Sequence, residues 1–240
     1  MPARFEILFI IKREPIGALK IGQNAAIYIQ NSLDMLGIMP KSRRDDLVET
    51  ALKLFYSGGF NATGIDKILE ESGVAKMTLY KHFRSKDELI LAVLHRRDEQ
   101  FRNWLMGEME KASSDPRMRL LAMFDALEAW FEGRAFKGLG FHGCAFINAA
   151  GEFSDQSHPA HRAAAEHKRS ILEYIQRMCV NAGARDPAKL AEQLALLKEG
   201  AIATAHVRGM PEAAQIAKEM AIRMIDAAIA EQSLSVYNEP

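Results

Sequence analysis

The sequence predicts an all-α fold of about nine helices. From Ser42 onward apolar residues recur at helical spacing, as in Leu47, Ala51, Leu54 and Phe55. Prolines stand at segment starts (Asp115-Pro116, His158-Pro159, Asp186-Pro187) and glycines just past segment ends (Gly58-Gly59, Gly183, Gly209). No stretch shows the two-residue alternation of a strand.

Residues 1–40 lack a sustained helical period and carry Pro2, Pro15, Gly17, Gly22, Gly37 and Pro40, which marks them as an N-terminal extension. Met39, followed by PKSRRDD, or Met35 would make a natural start; the other reading is a real, loosely attached arm. Residues 41–88 form one expected domain and 89–233 a second.

The first helix starts near Ser42 and stops at Gly58-Gly59. Thr63 is placed to cap a short helix carrying Ile65, Ile68 and Leu69. Ser72-Gly73 is a turn, and a third short helix runs from about Ala75 to His82. Ser85 and Glu88 then make a capping box at the head of a long helix to about Gly107. A helix from Pro116 to about Glu132 follows. A glycine-rich stretch from Gly133 to Gly143 reads as loop, and a short helix spans about Ala145 to Phe153. Two long helices begin at His158-Pro159 and Asp186-Pro187, ending near Asn181 and Arg208. Pro211 opens the last, to about Glu231.

The chain has 31 basic and 31 acidic residues among 240, so it is not drawn as a whole to nucleic acid. Any such role needs a local patch. The two cysteines, Cys144 and Cys179, are too few for a disulfide framework and suit a reducing compartment. The run Ile7 to Ile11 is far short of a membrane span and has no leader-type cleavage site. A cytoplasmic protein is expected.

The local patch is GVAKMTLYKHFRSKDEL, residues 73–89. Helix, glycine turn and short helix make a helix-turn-helix. Val74, Leu79 and Phe83 turn inward. Lys76, Thr78, Tyr80, Lys81 and His82 are left on the other side, and Lys86 lies in the first turn of the next helix. Cations and hydroxyls fix phosphates, while other polar contacts and methyl packing read base edges. The bland alternative is a solvated helix face; the glycine turn and capping box argue against it.

Residues 43–89 resemble the DNA-binding domain of the TetR/AcrR family of transcriptional regulators. The resemblance rests on Gly59-Phe60 before Thr63, Gly73-Val74 at the turn, and the T-L-Y-x-H-F-x-S-K core from Thr78 to Lys86. It implies a homodimer on a pseudo-palindromic operator, with Lys76, Thr78, Tyr80, Lys81, His82 and Lys86 contacting DNA and Thr63 near phosphate. It further implies repression released by a small molecule.

The second half resembles the family's regulatory domain in architecture alone. Candidates for an effector cavity are Trp104, Phe124, Leu127, Trp130, Phe131, Cys144, Phe146, Tyr174 and Met178, each of which has plain core as its alternative. FHGCAFINAAGEF, residues 141–153, resembles a G-C-x-x-x-N-A segment of one branch of the family. Cys144, beside His142 and near a helix N-terminus, reads either as a reactive thiol or as a small buried apolar residue. Asp155, His158, His161 and His167 have metal-like spacing, but Pro159 interrupts it, so capping and surface roles are expected and no metal or cofactor.

Leu190, Leu194, Leu197, Ala201 and Ala205 make one stripe, and Ala213, Ile216, Ala217, Met220, Met224 and Ala228 another. Either they face their own core or they pair with a second subunit in a four-helix bundle; the resemblance favours pairing. No nucleophile elbow, phosphate loop or zinc signature is present, which argues against an enzyme. The basic helix argues against a protein that kept this fold without reading DNA.

Overall fold

The computed structural model describes residues 42–229, and the expected extension at 1–40 lies outside them. Nine helices follow one another among the described residues: α1 (Arg43–Gly58), α2 (Ile65–Ser72), α3 (Lys76–His82), α4 (Lys86–Ala112), α5 (Pro116–Phe131), α6 (Ala145–Glu152), α7 (Pro159–Asn181), α8 (Pro187–Arg208) and α9 (Ala213–Ile229). No strand occurs among them, and no helix there is long and apolar enough to cross a membrane.

The longer helices begin by one repeated device. Asp115, His158 and Asp186 each accept a backbone N–H of the first turn, and a proline follows each. The proline has no N–H to leave unpaired and its φ already suits a helix. At α4 the cap is Ser85, whose hydroxyl oxygen accepts the Glu88 N–H at 3.2 Å. The Glu88 carboxylate reaches back to the Arg84 N–H at 2.7 Å, one residue before the capping serine.

Three boundaries depart from the sequence reading. Helix α4 does not stop at Gly107 but runs five residues further to Ala112, since Leu105 and Met109 continue its buried stripe across the glycine. Helix α9 begins at Ala213, with Pro211 and Glu212 in a turn. Thr63 does not cap α2: Gly64 occupies that position, and the Thr63 hydroxyl donates backwards to the Gly59 carbonyl at 2.8 Å.

Helix α4 is the spine. Its start packs against α1, burying Leu89, Ile90 and Val93 with Leu47, Phe55 and Leu79. Its remainder packs on α5 and α7, where Phe101, Leu105 and Met109 are buried. One hydrophobic core therefore runs from the small N-terminal bundle into the helical body. Burial of that apolar surface is the main force ordering both. Helices α8 and α9 lie against each other and close the body over α5 and α7. Lys218 on α9 reaches Asp125 on α5 at 2.6 Å.

Candidate nucleic-acid interface

Helix α2 ends at Gly73, whose backbone is left-handed (φ 63°) and whose N–H returns to the Leu69 carbonyl. A side chain with a Cβ is disfavoured in that conformation, so glycine permits the tight turn. Helix α3 leaves the turn seated by Val74, Leu79 and Phe83, all buried. That seating fixes which side faces out. Lys76, Met77, Tyr80, Lys81 and His82 are exposed and Thr78 is half-buried. Tyr80 is 48% exposed and Met77 82%. Five of the seven expected contact residues thus stand together on one projecting face.

The other two differ. Lys86 is half-buried: its Nζ donates to the Asn61 carbonyl at 3.0 Å and lies 5.9 Å from the Phe55 ring centroid. It pins the α1–α2 loop as well as adding charge. Thr63 is 5% exposed, and its hydroxyl lies 2.8 Å from the Gly59 carbonyl and 3.3 Å from the Leu54 carbonyl at the end of α1, set back from the projecting face. Met77 escaped the sequence reading. A methionine at helical spacing passes for core, and only the seating of Leu79 shows that it points out.

The head is tied to the body through the segment 141–153. The Tyr56 hydroxyl on α1 donates to the Gly143 carbonyl at 2.7 Å and accepts the His142 N–H at 3.1 Å. The Glu152 carboxylate accepts the N–H groups of Phe60 and Asn61. These charge-assisted bonds are stronger than neutral ones.

The model for bacterial regulatory proteins of the tetR family matches residues 47–93, and that for a Tetracyclin repressor-like C-terminal domain matches residues 116–221. A TetR-type transcriptional regulator of Streptomyces avermitilis, sav143, is 31% identical with a TM-score of 0.67, over 78% of this chain and 98% of that one. The chain is a member of the TetR family. It is a DNA-binding transcription regulator of that family. The regulator YjdC of Escherichia coli K12 is 25% identical over 67% of this TetR-family chain and 81% of YjdC. The repressor KstR2 of Mycolicibacterium smegmatis is 34% identical over 37% of this chain and 45% of KstR2.

In the TetR-family body, the expected effector residues divide into groups. Trp104, Trp130 and Phe131 join one aromatic cluster with Phe101, Phe136 and Phe141; Trp130 lies 4.9 Å from Phe101 and 5.1 Å from Phe141. Phe146 stacks on His167 at 3.6 Å. Phe124 and Leu127 are wholly buried. Met178 is 7% exposed, and the Tyr174 hydroxyl donates to Glu110 at 3.3 Å. Cys144 is buried at the N-cap of α6. Its polar neighbour is not His142, whose ring meets Tyr56 edge-on, but Lys168, whose Nζ donates to the sulfur at 3.3 Å.

Four polar residues here were absent from the sequence reading: Arg97 and Lys198, which are buried, and Lys168 and Glu199, which are half-buried. Arg97 and Lys198 are each 1% exposed. Arg97 had a readable signal, since it interrupts the apolar stripe between Val93 and Phe101. Glu199 binds Lys168 at 2.6 Å and also Lys198. Burial opposes its ionisation, but the two lysines outweigh burial and hold the carboxyl at about 2. His158 and His161 are occupied with the Ala160 N–H and the Phe153 carbonyl. His167 pairs with Asp98 at 2.8 Å.

Both helical stripes mix buried and outward residues. Leu190, Leu194, Ala201 and Ala205 are buried and Leu197 is half-buried; Ala213 and Ala217 are buried, while Ile216 and Met220 are exposed. The outward surface is a groove of about 330 Å³ between α8 and α9, lined by Leu196, Gly200, Ile216 and Met220 among others. Leu196 is 76% exposed, Ile216 52% and Met220 50%.

Proposed function

We propose that the chain is a ligand-responsive repressor, acting in the cytoplasm as a homodimer on a pseudo-palindromic operator and released by a small molecule. The observation that carries this reading is the projecting face of α3, with Lys76, Thr78, Tyr80, Lys81 and His82 held outward by a buried seat. Supporting the homodimer, the apolar α8–α9 groove suits a second copy of the same helices. Repression is supported by likeness to KstR2, which is named a repressor.

Release follows from the tie between head and body. Gly143 and Glu152 hold both ends of the contact with α1 and the loop after it. An effector that shifts this segment changes the angle and spacing of two α3 helices in a dimer. Ligand then favours the state that no longer fits successive major-groove faces. The chain's own genes supply the test: a reporter behind the flanking DNA should be silenced by the protein. Activation of that reporter would instead make it an activator, and no effect at any salt concentration would remove the reading.

A further inference from the structure

The body buries more positive charge than its acids match. Arg97 lies on the inner stripe of α4, 1% exposed. Among the described residues its two terminal guanidinium nitrogens have no hydrogen-bond partner, and neither has the indole nitrogen of Trp130. Unpartnered buried donors are rare and costly, most of all when charged. Rings surround the guanidinium, with Phe136 at 4.0 Å, Tyr56 at 5.4 Å, Phe101 at 5.6 Å and Trp130 at 5.8 Å, and the polar group beside both donors is the Tyr56 hydroxyl, which is already bonded to Gly143 and His142. Ring faces attract the charge but leave its N–H groups unmet. Two half-buried acids of the body have partners of their own. Asp98 is bonded to Arg102 and His167, and Glu199 to Lys168 and Lys198.

What covers Arg97 is a loop. Phe136, the ring nearest the guanidinium, is half-buried and lies between Gly133 and Gly138, both at positive φ. The Phe136 ring also meets Phe101 and Trp104, so the loop lays one aromatic ring over the guanidinium and its aromatic surroundings.

We propose that Arg97 and Trp130 are the recognition point for a flat organic acid. Its carboxylate would accept the two guanidinium N–H groups and the indole N–H, and its apolar body would replace Phe136 against Phe101 and Trp104. A carboxylate matches the fork of an arginine in two parallel bonds. The aromatic walls select a planar, apolar remainder over a sugar or a polyphosphate. This rests on the ligand-responsive reading and names the chemical class of the effector. The same loop ends at Gly143, which holds Tyr56 on α1, so displacing it reaches the reading head.

The test uses the purified full chain without DNA. Benzoate and phenylacetate are titrated against benzamide and phenylacetamide, followed by calorimetry and by fluorescence of the two tryptophans. Each acid is expected to bind at least about tenfold tighter than its amide and to change the fluorescence; Arg97→Met abolishes that preference. Arg97→Met should itself stay folded, because a buried unmatched charge is replaced by an apolar side chain of similar length. Should it not fold, Arg97→Lys keeps the charge without the fork, and benzoate affinity is then expected to fall about tenfold. Equal binding of acid and amide, no binding by either acid, or an acid preference indifferent to Arg97 overturns the proposal. Operator binding, measured alongside, separates the two ideas. Arg97-dependent acid binding that leaves operator affinity unchanged keeps the site and removes its regulatory role. Release from the operator by a neutral compound alone keeps the regulator and removes the acid site.

Discussion

Glu152 on α6 accepts the backbone N–H of Asn61 at 2.6 Å, joining positions 91 residues apart in the chain. Its other carboxylate oxygen takes the N–H of Phe60 at 2.8 Å. Asn61 also receives Lys86 on its carbonyl. The loop that leads into the helix-turn-helix is therefore gripped from the body on one side and from α4 on the other. A shift of α6 has a direct route to the angle of α3.

Glu152→Gln keeps the size of this side chain but removes its charge and one acceptor. The expected cost is about 1–2 kcal/mol, since two backbone donors lose charge-assisted partners. Thermal unfolding should show a lower midpoint, and operator release should need more effector. An unaltered midpoint together with an unaltered release curve would count against the grip.

Lys81 and Lys86 should separate in their effects. Lys81 is exposed and makes no side-chain hydrogen bond or ion pair among the described residues, so Lys81→Ala should leave stability within about 0.5 kcal/mol. It should weaken DNA binding and lower the slope of log affinity against log salt by about 1. Lys86→Ala should weaken binding too, but also lower the unfolding midpoint because the Asn61 carbonyl loses its donor. Identical stability losses in the two variants would contradict this division.

Acid should destabilise the body through His167. Burial pushes its pKa down to about 4 against the pull of Asp98, with Lys168 and Lys198 adding to the drop. The unfolded chain takes up a proton near pH 6.5, the folded one only near pH 4. Stability is thus full above about pH 6.5 and falls as pH drops towards 4, by on the order of 3 kcal/mol. Asp98 adds a second loss lower down. Burial opposes its ionisation, but hydrogen bonds from His167 and Arg102 prevail and hold it at about 2. Chemical denaturation between pH 7 and 4 measures the first slope, and His167→Gln should flatten it. A slope that persists in that variant points to other groups.

Ile216→Glu places a charge on the apolar α8–α9 groove without touching the core, since Ile216 is 52% exposed. Light scattering after size exclusion should show half the wild-type mass, with the helix content retained. Operator affinity should fall steeply, as each half-site then binds alone. A wild-type mass in this variant would move the dimer surface elsewhere.

Much of this architecture was legible because its signals are local. Asp115-Pro116, Asp186-Pro187 and Ser85 with Glu88 announce helix starts by hydrogen bonds made within a few residues. The α3 face was legible for the same reason, as Val74, Leu79 and Phe83 fix its orientation from within the motif. What escaped depends on distant partners. Thr63 looks like a cap, yet its hydroxyl turns back to Gly59. The Leu190 to Ala205 stripe allows core or partner contact from sequence alone, and the packing of α7 and α9 on α8 accounts for the burial of Leu190 and Leu194. The Lys168–Cys144 contact joins residues 24 apart across two helices and leaves no trace in either segment. Glu152 reads as an ordinary surface acid until the loop it holds is in place.

The most direct measurement is to sequence the genomic DNA fragments retained by the purified protein, with Tyr80→Ala/Lys81→Ala as the control. One shared motif with two-fold symmetry is expected, bound by the wild type and lost or greatly weakened in the double variant. Retained fragments without a common symmetric motif, or equal retention by the double variant, would contradict it.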